Sequence, residues 1–130
     1  MLNFFGIPAE LHAPAQRYWE QFEAAIQSQN LPHPRDLLPP SVTADEFSRQ
    51  LTRAFVASEF IARTSAQRPQ YLIGLVQSGA LFEAQSDAHL AAFAAVVNAC
   101  NTDTELDACL RRQRQMAMIR IIWRDLNRVA

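Results

Sequence analysis

Apolar residues recur at three- and four-residue spacing along most of the chain, the period of helices that bury one face. Pro14 suits a first helical turn, and Tyr18, Phe22, Ala25 and Ile26 follow with Glu20, Gln21 and Gln27 between them. The pattern predicts an amphipathic helix from about Pro14 to Gln29. Ahead of it, Met1–Leu11 is apolar but broken by Gly6 and Pro8, and reads as an irregular lead-in that packs Phe4 and Phe5. Leu31–Ser41 is proline-rich, with Pro32, Pro34, Pro39 and Pro40. Proline removes an amide donor and drives its predecessor out of the helical region, so no helix runs through here. Leu37 and Leu38 favour an extended strap held on the core over a free linker.

Thr43-Ala44-Asp45-Glu46 is a capping box, and the helix it opens carries Phe47, Leu51, Ala54 and Phe55 on one stripe. Ser58 interrupts at an N-cap position, which predicts a kink or a second short helix to about Gln67. Pro69 starts the next helix, with Tyr71, Leu72, Leu75 and Val76 inward and Gly79 as its left-handed closing residue. Ser86 caps a further helix, with Leu90, Phe93, Val96 and Val97 inward and residues 98–101 ending it. Thr102-Asp103-Thr104-Glu105 is a second capping box, opening a helix from Asp103 to about Asn127. The sum is five to six helices and no sheet. At 130 residues, the length suits one compact all-α domain ending in a long arginine-rich helix.

That last helix has an unusual pattern. At about 100° per residue, Leu106, Cys109 and Leu110 share one face. Met118, Ile119, Ile122, Trp123, Leu126 and Val129 share nearly the opposite face, while Arg120, Arg124 and Arg128 align on the first. The pattern predicts a bend near Gln113–Gln115, or burial from two directions as an element joining two bodies. Trp123 and Ile119 should be buried, with the arginines paired to acids or solvated. The remaining face awaits the N-terminal helices or a second copy, as in a homodimer.

Composition adds little to the fold: 49% apolar and 19% charged residues are an ordinary globular balance. Charge is more informative. Every basic residue is arginine, and the net charge of −1 is uneven, since six of the twelve arginines fall within residues 110–130 beside one acid, Asp125. A basic terminal helix can signal nucleic acid, an acidic partner or a solvated face. No aromatic residue interleaves on the basic face, which argues against nucleic-acid stacking. No run approaches the ~20 apolar residues of a membrane span. Cys100 and Cys109 sit among apolar neighbours with no secretory signal ahead of them, the pattern of reduced structural thiols in a cytoplasmic protein. His12, His33 and His89 are scattered, give no zinc spacing, and read as ordinary surface residues.

No catalytic, cofactor-binding or metal residues emerge. Gly6, Gly74 and Gly79 are too far apart for a phosphate cradle, and no Gly-x-Ser-x-Gly turn is present. Asp103, Glu105 and Asp107 stand in a helix's first turns, where acids complement the dipole.

Leu110–Leu126, LRRQRQMAMIRIIWRDL, resembles the arginine-rich helix of the bacterial glutamine synthetase adenylyltransferase/deadenylylase (glutamate-ammonia-ligase adenylyltransferase) family. Leu110, Arg111, Arg112, Arg114, Met118, Arg120, Ile121, Trp123, Arg124, Asp125 and Leu126 match in register, whereas Gln113 replaces Phe and Ala117 replaces Glu. A second segment, with Ser58, Phe60, Ile61, Ala62, Arg68, Pro69, Leu72, Leu75, Ser78, Gly79 and Leu81, is similar to the same family. Residues 1–42 carry no resemblance of their own. The resemblance implies an enzyme that attaches AMP from ATP to a tyrosine of glutamine synthetase and removes it by phosphorolysis. It also implies control by glutamine and the PII signal protein, and Mg²⁺ and ATP held by nucleotidyltransferase domains downstream.

On this reading the chain is the N-terminal helical scaffold before the first, deadenylylating domain, and its ending fits a truncated chain. Arg111, Arg112, Arg114, Arg120, Trp123, Arg124 and Asp125 are then interaction or structural residues. The alternative is a freestanding all-α protein–protein interaction module whose likeness is fortuitous; the reading frame beyond Ala130 separates the two.

Overall fold

The computed structural model describes residues 2–83 and 87–127, with the side chains of residues 87–90, 92 and 93 left aside. Six α-helices follow in order: α1 (His12–Gln29), α2 (Ala44–Ala57), α3 (Glu59–Gln67), α4 (Pro69–Gln77), α5 (Asp87–Asn98) and α6 (Asp103–Asn127). Short 3-10 turns occupy Ala9–Leu11 and Pro34–Leu37, and no strand occurs among the described residues. The all-α expectation holds, helix for helix.

Side-chain caps set the boundaries. Thr43 Oγ1 accepts the Glu46 amide at 3.1 Å, Ser58 Oγ accepts that of Ile61 at 3.2 Å, and Thr102 Oγ1 accepts that of Glu105 at 3.0 Å. Ser58 is extended, with φ −128° and ψ 105°, so α2 stops and α3 starts anew on one residue. The alternative of a kink is thereby excluded. Ser86 lies outside the described residues.

α4 ends at Gly79, whose φ of +79° is left-handed. Asn30, with φ 54°, closes α1 the same way. Gly79→Val is expected to destabilise by about 1–3 kcal/mol, because a β-branched residue resists that region. Urea unfolding checks it, and Gly79→Ala should lose less than Gly79→Val.

α1 packs chiefly on α3 and α2, α6 lies against α2 and α4, and α5 touches α6. The buried stripe of α1 is Ala15, Trp19, Phe22 and Ile26. The predicted stripe was rotated by one residue: Tyr18 and Ala25 lie at its margin, and the Tyr18 hydroxyl donates to Glu59 at 3.3 Å. Trp19 instead meets Phe22, Phe55 and the ring of His33. α2 and α4 bury the expected residues: Phe47, Leu51, Ala54 and Phe55, then Tyr71, Leu72, Leu75 and Val76. Val96 of α5, expected inward, is exposed, and α5 packs against α6.

The proline-rich segment is a strap, with Pro34 buried and Leu37 and Leu38 against the core, but it is not extended throughout, since Pro34–Leu37 coil into a 3-10 turn. In the lead-in, Phe4 stacks on His12 at 4.2 Å, but Phe5 is 94% exposed, contrary to expectation. His33 is likewise no ordinary surface residue, because its ring sits edge-on to Trp19 at 5.7 Å.

Burial first, and the charge of Arg35 second, lower the His33 pKa, while Glu23 at 3.8 Å opposes them. The unfolded chain therefore binds the His33 proton more tightly than the fold does. Its contribution is whole above the unfolded value of about 6.5 and is lost as pH falls through the folded one. Urea midpoints at pH 7.5 and at mildly acidic pH should fall further in the native chain than in His33→Asn.

The arginine-rich helix as candidate functional site

α6 turns one continuous stripe towards the body: Leu106, Cys109, Gln113, Met116, Arg120, Trp123 and Asn127, spaced alternately three and four residues apart. Cys109, Ile119 and Trp123 are buried. The expected change of face does not occur, and the helix runs uninterrupted through Gln113–Gln115. Leu110 is 38% exposed, Met118 45% and Ile121 62%, so Met118 does not share the face of Trp123. Two polar residues at inward positions, Gln113 and Arg120, disguised the stripe as two.

Trp123 is fully buried and stacks on Phe47, with centroids 5.8 Å apart and planes 29° apart, while Phe82 meets Phe47 edge-on. Its Nε1 finds no hydrogen-bond acceptor among the described residues. Gly74 of α4 lies where α6 crosses, and a Cβ there would stand 3.4 Å from Met116 Cε.

Among the described residues, Arg120 pairs with no acid. Its Nε donates to the Ala80 carbonyl at 2.8 Å and its Nη2 to that of Glu83 at 2.7 Å. Arg124 Nη1 reaches the Leu81 carbonyl at 3.5 Å. These carbonyls lie just past the end of α4, where the helical ladder no longer supplies donors. Burial, and then the neighbouring Arg124 charge, lower the Arg120 pKa. Arg120→Ala should cost about 1–2 kcal/mol for two charge-assisted bonds at a half-exposed site. Arg114→Ala, on the solvent side, should leave the urea midpoint unchanged.

Asn127 is a residue the sequence did not single out. It donates to the Trp123 carbonyl at 3.0 Å and accepts from Arg53 Nη1 at 2.8 Å, which pins the end of α6 to α2. No local pattern could have found it, since its partner Arg53 is 74 positions away. Of the remaining candidates, Arg111, Arg112, Arg114 and Asp125 are exposed, and Arg124 is half-buried.

The described residues assemble no Mg²⁺–ATP site. Glu105 caps α6, accepting the Asn101 amide at 2.8 Å. Gly79 closes a helix and Gly74 serves helix packing. A shallow groove lined by Arg120, Ile121, Ile122, Arg124, Asp125 and Leu126 offers one carboxylate, too few for a metal. No cluster of three or more metal-ligating side chains occurs among the described residues. Cys100 and Cys109 are free thiols, the first half-buried and the second buried. Among the described residues, no helix is long and apolar enough to cross a membrane.

Fold and site together define an all-α helical unit organised round an arginine-rich helix that locks the turn after α4. The chain belongs to the glutamate-ammonia ligase adenylyltransferase family, which it matches over residues 48–130. It is 33% identical over 125 residues to a bifunctional glutamine synthetase adenylyltransferase/adenylyl-removing enzyme of Nitrosococcus oceani, covering 95% of this chain and 12% of the relative. A protein of the same description from Thioalkalivibrio sulfidiphilus is 33% identical over 93% of this chain and 11% of its own length. Another, from Pseudomonas syringae pv. tomato, is 39% identical over 60% of this chain and 8% of its own. The chain thus spans about a tenth of the curated relatives it matches. No solved structure matches it. The likeness is not fortuitous, and an alignment over 125 residues takes in most of residues 1–42, where the sequence alone suggested none.

Proposed function

We propose that the chain is the N-terminal helical part of a bifunctional enzyme that adenylylates and deadenylylates glutamine synthetase, and so controls nitrogen assimilation. Its role there is structural: a scaffold preceding the first, deadenylylating nucleotidyltransferase domain, with no catalytic residues of its own. The carrying observation is the match of nearly the whole chain to a small part of relatives described as bifunctional enzymes. The internal employment of Arg120 and Trp123 in packing supports the scaffold role.

In the whole enzyme, ATP and Mg²⁺ belong to the catalytic domains, and glutamine synthetase and the PII signal protein are the cytoplasmic partners. Arg111 and Arg112 remain for contacts with neighbouring domains. The test is a chimera in which this chain replaces the matching segment of the Nitrosococcus oceani enzyme. Both activities should persist in the chimera, while this chain alone should release no AMP from adenylylated glutamine synthetase with phosphate and Mg²⁺. Turnover by the chain alone, or an inactive chimera that is folded, would overturn the reading.

A further inference from the structure

The side of α6 opposite Trp123 carries a second seam. Arg111, Arg114, Met118, Ile121 and Asp125 follow one another at alternating three- and four-residue spacing, and all are exposed. Exposed apolar residues scattered singly need no explanation. Here Met118, 45% exposed, and Ile121, 62% exposed, stand side by side in register with charges of opposite sign on either flank. No hydrogen bond or ion pair to Arg114 or Asp125 occurs among the described residues.

We infer that this outer seam of α6 is a self-association surface whose occupant is a second copy of this chain, packed antiparallel about a two-fold axis. In such a pair, if residue i faces j then j faces i, so the two numbers of every facing pair have the same sum. Setting Met118 opposite Ile121 places Arg114 opposite Asp125 without further adjustment. The result is four layers: two apolar ones at the centre, flanked by an arginine–aspartate pair at each end. This layering is that of an antiparallel coiled coil, in which the two seam positions alternate across the interface. A parallel pair would set Arg114 on Arg114 and Asp125 on Asp125, and like charges reject it. By sequence alone the next layer outward would oppose Arg111 and Arg128, so the seam stops at four. Complementarity within these four layers, against one like-charge contact at each end, therefore selects both the occupant and its direction. A seam this short buries little area, so the dimer is weak and populated only at high concentration.

Sedimentation equilibrium of the full chain from about 10 µM to about 1 mM tests this. Expected is a reversible monomer–dimer equilibrium that weakens with added salt. Arg114→Asp and Asp125→Arg should each weaken it at least tenfold by placing like charges in facing layers. The double exchange should restore it to within about threefold, which a merely structural effect would not do. Ile121→Glu should abolish the dimer while leaving helicity and urea midpoint unchanged, because the residue is exposed. A monomer across the range, or a dimer indifferent to the charge exchange, would overturn the proposal. Neither outcome bears on the chimera above, so the two readings stand or fall apart.

Discussion

Trp123→Ala is expected to lower the unfolding free energy by about 3–5 kcal/mol, the range for truncating a large buried aromatic side chain. The indole is wholly buried, stacks on Phe47, and joins α6 to the body of the fold. Its removal leaves a cavity between α6 and α2 that two helices of fixed spacing cannot close. Trp123→Phe should lose clearly less. The ring stack survives, and the indole Nε1 has no acceptor among the described residues to leave unpaired. Urea melts of the three proteins check the order. A loss under about 1 kcal/mol for Trp123→Ala would mean that α6 is a tail rather than a wall of the core.

Trp19→Ala should cost a similar 3–5 kcal/mol, for a different reason. Trp19 is 2% exposed and lies amid Phe22, Phe55 and His33, so it fixes α1 against α2 and seats the proline-rich strap. Tyr18→Ala, at the margin of the same helix, should cost much less, since its hydroxyl makes only a 3.3 Å contact with an exposed glutamate. The strap gives a second readout. Without the indole beside it, the His33 ring loses burial, and its pKa should rise back towards the ordinary value. Proton NMR titration of His33 in Trp19→Ala measures that directly. An unmoved His33 would show that the strap is held by Leu37 and Leu38 alone.

The proposed scaffold role makes one demand on this fold. A scaffold must hold its last helix in one orientation if anything downstream is to be positioned by it. α6 meets that need through packing at Trp123, backbone bonds at Arg120 and the side-chain clamp at Asn127. Three different interactions fix one helix along two turns of its length.

The order of the helices and most of their ends were legible in the sequence by itself, which left their number at five to six and set the start of α1 two residues late. These ends are decided within about four residues, by a hydroxyl at Thr43, Ser58 or Thr102, by the missing donor of Pro69, or by the backbone freedom of Gly79. The family resemblance was legible too, because it rests on residue identities in register. What each helix does with its faces was decided only by the tertiary structure. Rotation by one residue exchanges Tyr18 for Trp19 at scarcely any local cost, so only α2 and α3 select between them. Arg120 stands on an inward stripe because backbone carbonyls 37 and 40 residues away receive it. A carbonyl has no signature in the sequence, so a half-buried arginine bonded to one looks like a solvated arginine until the chain is folded.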